Sequence, residues 1–135
     1  MFVLLDSNVW LAALAHDGFC RRVVDASAAL CTCVVTPFLC AEVREKLVTK
    51  FKRTQEQADE LISRVVSVSL LRDDAGDISS PLRDPRDNPI LASAVAYRCK
   101  FLVTGDDDLL KLKAFGGVGI ISVRTFSERL QLEIA

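Results

Sequence analysis

The chain has a single histidine, His16, and no Cys-x-x-Cys spacing among its five cysteines. Neither the count nor the spacing supports a Cys/His zinc module. Cys20, Cys31, Cys33, Cys40 and Cys99 are an odd set, read as buried free thiols in a reducing compartment. Cys31-Thr32-Cys33 is the closest pair, and in a strand both thiols would share a face. No apolar run reaches the roughly 18 residues that cross a bilayer. The opening Met1-Phe2-Val3-Leu4-Leu5-Asp6 lacks the basic flank of a secretory signal. A soluble, cytoplasmic protein with no membrane association is the expectation. An excess of one charge is missing too: 17 Lys and Arg stand against 18 Asp and Glu, a formal net charge of -1. Any nucleic-acid binding must therefore come from local patches. No internal repeat or linker is visible.

What is present is a chain of 135 residues, half of them hydrophobic. That suits one domain, residues 1–135, with a core that needs no disulfide staples. Phe2-Val3-Leu4-Leu5 reads as a strand buried on both faces. Asp6-Ser7-Asn8 follows as a cluster of capping residues, then a short apolar helix, Val9 to Ala15. His16 reads as a surface or capping residue and Trp10 as core. A second helix covers Phe19 to Leu30, with Phe19, Val23, Ala26 and Leu30 at helical spacing. Cys31 to Val35 is a second strand. Thr36-Pro37 starts the next helix, with Thr as N-cap and Pro at the first helical position; it carries Leu39, Val43, Leu47, Phe51 and Glu42.

Thr54 and Gln57 form a capping box before an amphipathic helix with Ala58, Leu61, Ile62, Val65 and Val66 on one face. Near Val66 the pattern alternates like a strand. Arg72 to Pro85 is a loop, of a length that often borders a functional site. Asp87-Asn88-Pro89 opens an apolar helix. Phe101-Leu102-Val103 is a strand running into Thr104-Gly105-Asp106-Asp107-Asp108, where Gly105 permits a sharp turn. A short helix, Asp108 to Leu112, ends at Gly116-Gly117. Val118 to Val123 reads as the last strand, and Thr125 to Glu128 as a capping box opening the C-terminal helix, with Phe126 and Leu130 inward. Strands alternate with helices throughout, which predicts a three-layer α/β/α fold around a central parallel sheet of about five strands.

In such a sheet the strand C-termini share one edge, a common place for ligand sites. Asp6 and Asp106 follow strands, and Glu42 lies early in a helix that follows one. Asp87, at a helix start, can join them. Four carboxylates a few ångströms apart repel strongly unless a cation neutralises them. Oxygen-only ligands point to Mg²⁺ or Mn²⁺, and the chemistry this suits is phosphodiester hydrolysis. Asp84, three residues before Asp87, competes for the third position.

These motifs carry a resemblance over essentially the whole chain. Leu5-Asp6-Ser7-Asn8, Leu39-Cys40-Ala41-Glu42-Val43, Asp87-Asn88-Pro89-Ile90-Leu91-Ala92 and Thr104-Gly105-Asp106-Asp107-Asp108 occur in the order seen in PIN-domain proteins. The chain resembles the VapC-like toxin ribonucleases of toxin–antitoxin pairs. The resemblance implies a metal-dependent endoribonuclease using Mg²⁺ or Mn²⁺, an RNA substrate, a cognate antitoxin partner and a homodimer. It assigns Asp6, Glu42, Asp87 and Asp106 as metal ligands and catalytic residues. Asn8, Thr104 and Asp108 become supporting residues that orient ligands or waters. Asp107 is left to solvent.

Arg44, Lys46, Lys50, Lys52 and Arg53 crowd the end of Glu42's helix, and Arg83 and Arg86 flank Asp87. Arg44, Lys46, Arg83 and Arg86 are candidates for holding RNA phosphates, against the alternative of a solvated charged face. Each acid could instead simply cap a helix, but Glu42 lies beyond a cap already supplied by Thr36. A haloacid-dehalogenase phosphatase would need Asp-x-Asp where this chain has Asp6-Ser7-Asn8. A receiver domain would need an acid pair ending the first strand. The remaining alternatives are a non-catalytic PIN module that binds RNA or a protein partner, and a housekeeping RNA-processing nuclease.

Overall fold

The strand at the centre of the molecule is the first one in the chain, and its composition explains why. In a computed structural model describing residues 1–75 and 88–134, β1 (Phe2–Leu5) lies between two parallel neighbours. Val3, Leu4 and Leu5 are fully buried, as a strand covered on both faces requires. On one side β1 pairs with β2 (Thr32–Val35), which pairs with the two-residue β3 (Leu70–Leu71). On the other it pairs with β4 (Phe101–Val103), followed by β6 (Val118–Ile121) and, antiparallel at the edge, β5 (Ala114–Phe115). The order β3-β2-β1-β4-β6-β5 gives five parallel strands plus one short antiparallel addition. The sheet is therefore the expected one, with an extra edge strand.

Helices α1 (Ser7–Ala15), α2 (Phe19–Leu30), α3 (Pro37–Thr49), α4 (Gln55–Ser67), α5 (Asn88–Ala96), α6 (Asp107–Leu112) and α7 (Val123–Ile134) flank the sheet. Among the described residues no helix is long and apolar enough to cross a membrane. The starts of α1, α3, α4 and α6 follow capping chemistry. Thr36 accepts a hydrogen bond from the Leu39 amide, with Pro37 in the first turn of α3. Thr54 and Gln57 exchange both bonds of a capping box at the start of α4. Leu39, Val43 and Leu47 of α3, with Ala58 and Val65 of α4, enter the core. Trp10 is also core, 2% exposed, although its indole Nε1 has no hydrogen-bond partner.

Several expectations are corrected. The strand expected near Val66 is shorter and starts later: α4 runs through Ser67, and Leu70 and Leu71 alone pair, with Val34 and Val35. Cys31 ends α2 rather than starting β2. Within α2, Phe19 and Leu30 are 45% and 46% exposed, while Val23, Val24 and Ser27 face inward. The C-terminal helix begins at Val123, with the Ser122 hydroxyl accepting from the Thr125 amide at 3.2 Å. The same capping chemistry was available three residues before Thr125, where β6 ends. Gly116 and Gly117, at φ 56° and 85°, do not terminate α6; they turn the β5–β6 hairpin, which was not anticipated.

The cysteines are free: Cys33 and Cys99 are buried, and Cys20, Cys31 and Cys40 are partly so. Burial raises both buried thiols, Cys99 to about 12 with Cys33 adding to the effect, so neither is a ready nucleophile. His16 is exposed and ends α1.

Candidate active site

The parallel pairing of β1 with β4 brings two sequence-distant turns together. The Asp6 amide donates to the Val103 carbonyl at 2.9 Å, continuing the ladder one residue past β1. The Thr104 amide does the same with Ile121, at 3.0 Å. Both side chains consequently sit at the C-terminal edge of the sheet, where α1 and α6 begin. Asp6 caps α1, accepting from the Ser7 amide at 2.8 Å. Asp106 caps α6, accepting from the Asp108 amide at 2.8 Å. The cap of α6 is thus Asp106 itself, not Asp108. Gly105 does not have a positive φ, so the turn there needs no left-handed residue.

A hydrogen-bond network joins the two turns. The Thr104 hydroxyl, fully buried, donates to Asp6 Oδ2 at 2.8 Å and accepts from the Asp106 amide at 3.0 Å. Asn8 donates to Asp6 Oδ2 at 3.3 Å and accepts from the Gly105 amide at 3.0 Å. Asn8 and Thr104 therefore both donate to the same oxygen of the Asp6 carboxylate. Glu42, in the second turn of α3, joins through a residue that sequence reasoning treated only as a capping candidate. The Ser7 hydroxyl donates to Glu42 Oε1. A hydroxyl directly after a strand-ending aspartate was the available signal, but nothing in the spacing named its partner.

Asp6 is the electrostatic centre of this group. It is only 4% exposed, and burial pushes its carboxyl above the ordinary value. The hydrogen bonds from Thr104 and Ser7 oppose that shift, while the charges of Glu42 and Asp106 add to it. The Glu42 and Asp106 carboxylates thus both bear on Asp6, and each of the three has an oxygen held by a neutral donor. Among the described residues, no three His, Cys, Asp or Glu side chains stand close enough to form a ready-made metal cage.

Asp87, its competitor Asp84, and Arg83 and Arg86 lie outside the described residues. Asp107 is exposed, as expected. Arg44 is engaged by Asp59 of α4, 2.5 Å away, so its guanidinium ties two helices together. Lys46 lies 3.9 Å from Glu42 Oε1. The acids do not line the apolar concavity on the α1–α2 side of the fold. A cavity of about 310 Å³ opens between α1, α2 and α4, lined by Trp10, Leu14, Arg21, Val24 and Arg64, among others, but by none of the candidate acids.

Comparison with known proteins gives two findings. Residues 2–108 match the family model described as the PIN domain. Among solved structures, the crystal structure of VapBC2 from Rickettsia felis bound to a DNA fragment from their promoter is similar in fold. The TM-score is 0.65 at 16% sequence identity, covering 90% of this chain and 98% of that chain. No curated protein matches the sequence.

Proposed function

The chain belongs to the PIN-domain family, and on that premise we propose that it is a metal-dependent endoribonuclease, the toxin of a toxin–antitoxin pair. The observation that carries the reading is Asp6: a carboxylate 4% exposed, ringed by donors, and in the field of two further acids. A divalent cation would relieve an arrangement that disfavours the charged form of Asp6. The donor set fits Mg²⁺ or Mn²⁺, since it offers carboxylate oxygens and no thiolate or imidazole.

Asp6, Glu42 and Asp106, joined by Asp87, would hold the cation. When bound, such an ion supplies Lewis-acid activation of water and of a phosphodiester. The chain's own side chains do the rest. Thr104 and Asn8 fix the Asp6 carboxylate, and the Thr104 hydroxyl also fixes the Asp106 backbone. Asp108 supports the turn through its amide. Lys46, 3.9 Å from Glu42 Oε1, would attract an RNA phosphate, with Arg83 and Arg86 flanking Asp87 in sequence. Arg44, already paired with Asp59, is the weaker candidate.

The partner in this reading is an antitoxin that holds the nuclease in check within the cytoplasm, and the active form is a homodimer. Support for the antitoxin partner comes from the fold shared with a chain of the VapBC2 structure. A small upstream reading frame encoding a DNA-binding protein would favour a toxin over a housekeeping nuclease. One observation favours a second reading, a non-catalytic module that binds RNA or protein: Asp6 and Asp106 each cap a helix. Purified protein incubated with Mn²⁺ and structured RNAs separates the two. Cleavage that is lost with chelator and in Asp6→Asn supports the nuclease. Intact RNA with wild type and variant alike, despite retained binding, supports the module.

A further inference from the structure

We propose that Ser7 is a positioning residue for Glu42, holding one carboxylate oxygen so that the other is presented to the cation. The inference rests on the metal-dependent reading above and adds a residue that the four-acid motif does not contain. Ser7 is 3% exposed, at the first position of α1, and its backbone amide already serves the Asp6 carboxylate. Its hydroxyl does not cap the helix. It crosses to α3 instead, 35 positions away in sequence, and donates to Glu42 Oε1. At the first position of a helix there is no preceding turn whose carbonyl could take a serine hydroxyl, so the buried donor must find a partner elsewhere.

Glu42 needs such a partner. Its side chain has three rotatable bonds, and α3 offers it only Lys46, one turn on and at 3.9 Å from the same Oε1. That pair is long, and the lysine side chain is 47% exposed, so solvent screens it. Oε2 has no hydrogen-bond or ion-pair partner among the described residues. Ser7 thus couples the residue after Asp6 to the second acid of the site. One short segment, Asp6-Ser7, sets two carboxylates at once: the first by its own position, the second by its hydroxyl. Partners that orient metal ligands in this way commonly change affinity by about 10–100-fold when removed.

The test is Mn²⁺ binding by calorimetry on the full chain without RNA, with metal-free melting recorded in chelator. Wild type, Glu42→Gln, Ser7→Ala and Ser7→Thr are compared. Expected are a Kd about tenfold or more weaker in Ser7→Ala, near wild-type affinity in Ser7→Thr, and little affinity in Glu42→Gln. If Ser7→Ala is too unstable to assay, Ser7→Cys keeps the volume with a weak thiol donor and should show the loss. If Glu42→Gln loses Mn²⁺ while Ser7→Ala binds like wild type, the role of Ser7 is overturned and the metal site stands. Equal weakening in Ser7→Ala and Ser7→Thr also overturns it, pointing to volume rather than the hydroxyl. If wild type itself fails to bind Mn²⁺, the metal reading falls and the proposal falls with it.

Discussion

Replacing Thr104 by valine removes one oxygen from the centre of the site and nothing from its shape. In wild type that oxygen donates to the buried Asp6 carboxylate at 2.8 Å and accepts from the Asp106 amide at 3.0 Å. A hydrogen bond to a charged group contributes roughly 1.5–3 kcal/mol, and here Thr104 is fully buried, so water cannot take its place directly. The Asp106 amide is only partly buried and can recover a water, so its loss adds little. The expected destabilisation at neutral pH is about 2–3 kcal/mol. Unfolding entropy of about 2.1 cal/mol/K per residue, over this length, converts that to a Tm drop of roughly 7–10 °C.

The pH dependence has a definite sign. The Thr104 bond lowers the Asp6 carboxyl against the larger upward push of burial. Valine therefore raises the folded value further. The penalty is full while Asp6 is ionised in both proteins and fades as pH falls through the variant's value and then the wild type's. Melting both proteins in chelator, at neutral pH and in the acid range, measures it. A loss under about 0.5 kcal/mol, the range of ordinary surface changes, would refute the reasoning. So would a loss that is undiminished in acid.

Further outcomes are expected at Asp6, at the Gly116-Gly117 turn, at Thr54 and at Cys99. Asp6→Asn should melt higher than wild type in chelator at neutral pH, because the folded Asp6 value is raised and its cost is fully present above that value. The advantage should shrink on acidification, and added Mn²⁺ should stabilise only wild type. Gly116→Ala should destabilise by roughly 2–3 kcal/mol, since it forces a non-glycine into a left-handed φ and drives a Cβ to 2.9 Å from the stiff Val95 side chain. Gly117→Ala, with open space around it, should cost only the backbone part, about 1 kcal/mol. Thr54→Ala should cost about 1 kcal/mol by denaturant unfolding, as the capping box at α4 is lost. Cys99 should resist alkylation in the native protein at neutral pH and react only on unfolding, since burial holds its thiol at about 12.

Most of the architecture could be read from local chemistry. Thr36-Pro37 and the Thr54–Gln57 box start helices through bonds within four residues, which sequence spacing displays directly. The doubly apolar runs at Phe2–Leu5 and Phe101–Val103 could only be central strands of a parallel sheet. Errors arose where a local signal had competitors. The helix start expected at Thr125 comes earlier, because β6 ends at Ile121 and the Ser122 hydroxyl accepts from the Thr125 amide. The alternation near Val66 begins inside α4, and its strand is confined to Leu70 and Leu71, opposite Val34 and Val35.

The acids themselves were equally visible, because their type and their places after strands are written in the chain. Asp6, Asn8, Thr104 and Asp106 group together on residue type and order alone, and their hydrogen bonds join them in space. How the group is held was not visible. That Ser7, not a second acid, reaches Glu42 depends on the packing of α1 against α3, and so does the burial that raises Asp6. Residue type and order are one-dimensional properties, available from the sequence. Desolvation and cross-helix bonds are set by which surfaces meet, and only the tertiary structure decides that.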